Sequence, residues 1–344
     1  MLFRSAGIVA AGEIIMLIKK TAFAALALSL AMAPVQAPAK EAQAVEVKSK
    51  GAFKGASRIA IAAFNVGFIL ESTDQTKKTG GMIGAFGGTT KAKSRLLGVT
   101  PAMMQQITDA AYADFIAQMA AKGITIVPPA ALFADPGFAK LKTRPGPTEI
   151  NIELEKGSKG KANFYKPTAL PAQIMLASDF AGSGFGSIGL SMAGGQNEYW
   201  LANYAKTSAI PVVDVTYLID FSQQQRPGAF SFSGIKVNAN LGIVPTYSKL
   251  TVMGPGGQRD LLTLGQPVTV DGDFIEVSGA SSGADKTLQS AANVGAAVLG
   301  PAGMMFGKTR KFDFTAKPGN YEAGATKVAA LANERLIGQL LLLR

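Results

Sequence analysis

Ile59-Ala60-Ile61-Ala62-Ala63-Phe64, followed after Asn65 by Val66-Gly67-Phe68-Ile69-Leu70, is an apolar run of strand length. Thr100-Pro101 then opens a helix, with threonine as N-cap and proline at the first helical position. Met104, Ile107, Ala111, Phe115 and Met119 recur at helical spacing and form one apolar face. Gly123 closes the helix as a C-cap. Ile124 to Val127 is a short buried strand stopped by Pro128-Pro129. Strand, helix, strand is the shape of a βαβ-like unit, in which the helix covers one face of a sheet.

Outward from that unit, Ile210 to Phe221 is the strongest strand: Val213, Val215, Tyr217 and Ile219 alternate with Val212, Asp214, Thr216, Leu218 and Asp220. Gln173 to Ser178 is a third strand candidate, followed by the Gly-rich run Gly182 to Gly195. Residues 230–277 read as short strands with turns, and Asp271-Gly272 between Val268–Val270 and Phe274–Val277 signals a hairpin. Residues 279–307 are Ala/Gly-rich and open to either reading, and Arg310 to Thr315 is a strand. Ala323 to Leu343 is a long final helix with Val328, Ala332, Leu336, Leu340 and Leu343 on one stripe. Residues 40–57 read as a flexible leader, 142–171 as a Pro- and Lys-rich linker, and 77–95 as a long loop or mobile hairpin. The expected class is α/β (α+β): a mixed sheet flanked by helices 100–122 and 323–343. Residues 58–221 with 321–344 would form the domain, and 222–320 a β-rich insertion.

Residues 1–39 carry the marks of a secretory leader that begins at Met16. Lys19-Lys20, the apolar stretch Ala22–Ala33 and Ala37-Pro38-Ala39 supply its basic, apolar and cleavage regions. An uncut N-terminal anchor is the competing reading. No cysteine follows the apolar stretch, so a lipid on a processed N-terminal cysteine is excluded. Cysteine and histidine are absent altogether, which removes disulfide scaffolds, most zinc, copper and haem sites, and the commonest general base. Carboxylate chemistry stays open. The net charge of +11 would fit a nucleic-acid partner inside a cell. For an exported chain the counter-charge is an anionic lipid or acidic polymer, or the charge only confers solubility. No nucleic acid, cofactor or metal is expected.

The order of elements resembles the CsgG-like family, the curli-production channel of bacterial outer membranes. The likeness lies in Ser57–Phe68 with the helix from Thr100 and the strand from Ile124, in Leu170–Leu176 followed by a Gly-rich segment and Ile210–Asp220, and in Gly324–Leu343. The N-terminal domain of TolB-like proteins has a similar layout. The family resemblance implies a periplasmic α/β domain, no enzymatic activity, homo-oligomers or outer-membrane partners, and membrane hairpins that close into a shared barrel. The chain departs from the family in lacking its lipid-bearing cysteine, in having 135–141 and a Pro-rich linker where a helix follows the second strand, and in its longer 230–307 region.

By that resemblance, residues 178–206 are the hairpin candidate. Ile188, Leu190 and Met192 alternate with small residues, Phe185 precedes them, and Tyr199, Trp200 and Tyr204 suit an interfacial girdle. The alternation is shorter than the ~9–11 residues of a membrane strand, so a soluble Gly-rich loop with one buried tryptophan competes. Lys77, Lys78, Lys91, Lys93 and Arg95 are candidates for contact with an anionic surface, against a solvated loop. Gly184-Phe185-Gly186-Ser187-Ile188-Gly189 matches a dinucleotide fingerprint, but no helix pattern opens at its end. Asp271-Gly272-Asp273 has too few oxygen ligands for calcium and reads as a turn. Asp214 and Asp220 share a strand face, sit ~20 Å apart, and read as solvent-facing. A site joining Lys206, Ser208 and a carboxylate would revive an enzyme, as would a closed cleft of convergent, desolvated ionisable groups.

Overall fold

The computed structural model describes residues 43–77, 89–155, 158–180, 188–225, 236–279 and 309–344. The apolar run that opens the reading is the middle strand of a mixed sheet. Strand β2 (Arg58–Lys77) pairs in parallel with β7 (Val212–Gln225) along its first half. Further along it pairs antiparallel with β3 (Thr89–Leu97) and, on its other edge, with β6 (Ser158–Tyr165), itself paired to β5 (Thr148–Glu155). The short β4 (Thr125–Ile126) runs parallel to the start of β2. Beyond β7 come β9 (Lys249–Met253), β10 (Arg259–Leu264) and β1 (Val45–Lys48), all antiparallel to their neighbours. The last half of β7 pairs with β8 (Lys236–Ile243), which carries β11 (Val268–Val270). Beyond β3 lie β13 (Thr309–Ala316), parallel to it, and β12 (Ile275–Gly279).

Side chains alternate across this sheet and build two cores. On one face, Phe64, Val66, Phe68, Val213, Val215, Tyr217, Leu250, Val252 and Leu262 meet helices α1 (Pro101–Ala121) and α4 (Asn320–Leu341). Thr100 caps α1 by accepting the Met103 N–H at 3.2 Å. The expected stripe Met104, Ile107, Ala111, Phe115 and Met119 is the buried one. Asn333 of α4 ties the layers together: it accepts the Tyr217 hydroxyl at 2.7 Å and donates to the Ala111 carbonyl at 3.0 Å and to Asp114 Oδ2 at 2.7 Å. On the other face, Ala60, Ala62, Ala63, Val212 and Met253 meet α2 (Pro129–Phe133), Phe138, and α3 (Ile188–Ser208), which contributes Leu201, Tyr204 and Ala205.

The mixed sheet, its α+β class and both flanking helices agree with the sequence. Several local expectations are corrected. Residues from 43 onward are no leader, because β1 pairs with β10 and Phe53 is fully buried. The carboxylate of Asp260 accepts from Ser49 Oγ (2.7 Å), Lys50 N (2.7 Å), Gly51 N (3.0 Å) and Phe53 N (3.0 Å) and holds the segment down. The supposed linker 142–171 contains β5 and β6, whose inward positions are Ile150, Ile152, Ser158, Gly160, Ala162 and Phe164. Small inward residues hide such a strand from a search for apolar runs. Gln173–Ser178 is not a ladder strand: only Gln173 makes a bridge, to Arg144, and residues 177–180 form a 3-10 turn. The segment is fastened through side chains instead, with Asn65 Nδ2 donating to Ile174 O at 2.9 Å and Gln173 Nε2 to Phe164 O at 2.9 Å. Asp271-Gly272 does not close a hairpin, because β11 pairs with β8 while β12 pairs with β13. The described strands of 222–320 are β-rich as expected and belong to the same sheet.

Candidate functional site

Strand alternation places Asp214 and Thr216 of β7, Lys249 and Thr251 of β9 and Arg259 of β10 on the face covered by α3. Asp214 stands opposite Thr251, and Thr216 opposite Lys249. The 3-10 turn with Ser178 and Asp179 lies over them, together with Glu198 of α3. Gly194 lets the helix lie this close: a Cβ there would run into the backbone of Leu176 and Ala177. The result is a covered polar chamber in which Asp214, Thr216 and Thr251 are fully buried and Asp179 and Lys249 nearly so, with Arg259 and Glu198 at its partly exposed edge.

Part of the chamber is well bonded. Arg259 donates twice to Glu198, at 2.9 and 3.0 Å. Lys249 Nζ donates to the Ser178 carbonyl at 2.6 Å, Leu176 N to Asp179 Oδ2 at 2.7 Å, and Ser178 N to Glu198 Oε1 at 3.3 Å. The rest is not. Ser178 Oγ, Asp179 Oδ1, both oxygens of Asp214, Thr216 Oγ1, Thr251 Oγ1 and Arg259 Nε have no hydrogen-bond partner among the described residues. Burial pushes Asp214 well above the usual carboxylate range, with Asp179 and Glu198 adding to the shift against Arg259 and Lys249. Burial likewise lifts Asp179 to about 6, opposed by the Leu176 N–H, the Thr216 hydroxyl and Lys249, and reinforced by Glu198. The Thr216 hydroxyl stands near Asp179 without meeting hydrogen-bond geometry. Burial lowers Lys249, against the pull of Asp179 and Asp214.

The reading of Asp214 as solvent-facing is therefore corrected. A polar residue at an alternate strand position faces water only if nothing covers that face, and the cover here is α3. Asp220 is half-buried. Its Oδ1 accepts from Phe221 N (2.7 Å) and Ser222 N (3.2 Å) at a bulge between β7 and β8. Burial raises it to about 7, with the two backbone N–H groups opposing and Asp74 adding.

The hairpin expected over 178–206 is overturned by α3. Gly194, Asn197, Leu201, Tyr204 and Ala205 are buried at helical spacing over more than two turns, which outweighs three alternating residues. On this helix Leu190 is half-buried, Met192 and Tyr199 are exposed, Trp200 is half-buried under Lys140 Nζ (4.2 Å to the ring), and Tyr204 packs on Phe138. Phe185, the Ile188 side chain and most of the dinucleotide-like run lie outside the described residues. Lys206 is exposed, and Ser208 Oγ donates to the Tyr204 carbonyl at 2.8 Å, so among the described residues the two form no centre with a carboxylate. Asp273 pairs with Lys317 at 2.6 Å.

A second region lies where the strands end. The chain leaves β2 at Lys77 and returns at Thr89, leaves β7 at Gln225 and returns at Lys236, and leaves β12 at Gly279 and returns at Thr309. Because β2 runs parallel to β7 and antiparallel to β3, and β13 runs parallel to β3, these six strand ends lie at one end of the sheet. Lys91, Lys93 and Arg95 occupy the exposed side of β3 just below that end, so these three are strand rather than loop residues. Arg95 pairs with Asp313 at 3.2 Å. Lys159 and Lys161 of β6 are exposed as well, and Lys159 shares the register partner Thr73 with Lys93. Lys78 and the Lys77 side chain lie outside the described residues.

Fold and sites together define an α+β protein with helices on both faces of a mixed sheet, a buried ionisable chamber and a basic strand end. Comparison with family models, curated proteins and solved structures found no match to the chain.

Proposed function

We propose that the chain is an exported, non-enzymatic component of a cell envelope that acts in secretion or surface assembly. The ionisable groups beneath α3 come near the pattern that would revive an enzyme, but Asp179 and Asp214 are buried under α3 and the 177–180 turn and are read as an internal cluster, not a substrate cleft. It would associate with copies of itself, or with outer-membrane or periplasmic proteins, through the hairpin end of its sheet. The observation that carries this reading is convergence. The strand ends gathered there are joined in sequence by 78–88, with Met82, Ile83 and Phe86; by 226–235, with Phe230, Phe232 and Ile235; and by 280–308, which has no charged residue from 287 to 307. Low-charge, apolar, Gly-rich sequence between these strand ends suits a bilayer or a partner surface better than water. The exposed lysines of β3 and β6 just below suit anionic headgroups. Kinship with the CsgG-like family, or more distantly with TolB-like domains, belongs to the same proposal. Under it the hairpin role falls to β2–β3 and β7–β8.

A second reading, a soluble periplasmic binding or scaffolding protein without a pore, is favoured by one observation: 188–208 folds back as a helix onto the sheet. Fractionation of cells producing the full chain separates the two. The first reading predicts outer-membrane association that survives a high-salt wash. Release with the periplasmic contents would overturn it.

A further inference from the structure

We propose that the chamber beneath α3 is a binding site for one monovalent cation, held by Asp214 and Asp179 together with the hydroxyls of Thr216, Thr251 and Ser178. The inference is independent of the envelope reading. Buried polar groups in folded proteins almost always find partners. Nine buried side-chain atoms lack one among the described residues, and seven of them are gathered here. Six of those seven are oxygens: three from carboxylates and three from hydroxyls. They come from β7, β9 and the 177–180 turn, elements far apart in sequence, with Asp214 opposite Thr251 in the ladder and Asp179, Asp214 and Lys249 close enough to shift one another's ionisation.

Charge narrows the occupant. Glu198 and Arg259 cancel in a two-bond pair. With both acids ionised, Asp179 and Asp214 would face Lys249 alone and leave one negative charge uncompensated in a buried site; without a further cation it is Asp214 that stays neutral. One added positive charge closes the account. A divalent ion would overshoot beside an ammonium group. Among the described residues no three His, Cys, Asp or Glu side chains group as a metal cage, so a transition-metal site does not fit. A proton balances the charge but turns only one carboxylate oxygen into a donor. A hard monovalent cation accepts carboxylate and hydroxyl oxygens alike, so it also serves Thr216, Thr251 and Ser178.

The test is thermal and urea unfolding of the full chain at pH 8, in sodium or potassium chloride against N-methylglucamine chloride at equal ionic strength. The expected result is saturable stabilisation by an alkali cation. At a hundred times its Kd the unfolding constant falls roughly 100-fold. Asp214→Asn, which keeps the shape and removes the charge, should abolish the dependence, and Thr251→Val should weaken it. If Asp214→Asn does not fold, the wild-type cation series and Thr251→Val still decide. Identical curves in alkali and organic cations would overturn the proposal and leave a proton on Asp214 as the occupant.

Discussion

Replacing Asp260 with alanine tests whether residues 43–57 belong to the folded body. The carboxylate is fully buried and accepts four hydrogen bonds from Ser49, Lys50, Gly51 and Phe53, at 2.7 to 3.0 Å. A bond to a charged group contributes roughly 1.5–3 kcal/mol, and an orphaned buried donor costs roughly 1–3 kcal/mol. Water can replace the partner at exposed Ser49 and Lys50, less readily at half-buried Gly51, and not at buried Phe53. The expected loss is therefore about 3–5 kcal/mol, short of the sum of four bonds. Urea unfolding at pH 7 measures it, and amide exchange at 50–53 and along the β1–β10 ladder should rise in step. The sign with pH follows from the bonding. Burial pushes Asp260 upward, but the Ser49 hydroxyl and the backbone N–H groups outweigh it and hold the acid below its ordinary value. Its contribution is thus present above the unfolded pKa, about 4, and is lost as pH falls. The gap between wild type and variant should narrow on acidification. A loss under about 1 kcal/mol, or an equal gap at pH 7 and pH 3, would refute the reasoning.

Asp220 works in the opposite direction. With its pKa lifted to about 7 it favours the protonated folded state, so its ionisation lowers stability between about pH 4 and pH 8. Asp220→Asn should gain on wild type across that window by up to about 4 kcal/mol, read from urea curves at successive pH values. Gly194→Ala should cost about 1–3 kcal/mol by forcing α3 off the 177–180 turn, and changed tryptophan fluorescence from Trp200 would report the shift. Asn333→Leu should cost about 3 kcal/mol, because it strands the Tyr217 hydroxyl in the main core and takes one bond each from the Ala111 carbonyl and from Asp114, which keeps Gln118.

The parts of the fold legible in the sequence were those built from large apolar side chains at a regular period. Phe64, Met104, Phe115, Val213, Val328 and Leu336 announced β2, α1, β7 and α4. The parts that escaped use small or polar residues for packing. β6 turns Ser158, Gly160 and Ala162 inward, and α3 approaches the turn through a glycine. The chamber escaped for a linked reason. Asp214 in a strand reads as exposed until a second layer is known to cover it, and that layer was the segment read as a hairpin. One signal was available: Asp214 and Thr216 in β7 share their alternation with Lys249 and Thr251 in another strong strand, so two polar faces of opposite charge could pair.

The central claim is that the hairpin end of the sheet serves assembly in an envelope. The mass of the full chain, extracted from membranes in mild detergent and measured by light scattering, tests it most directly. A discrete particle at a multiple of the single-chain mass is the predicted result. A monodisperse single chain that stays in solution without detergent would contradict the account.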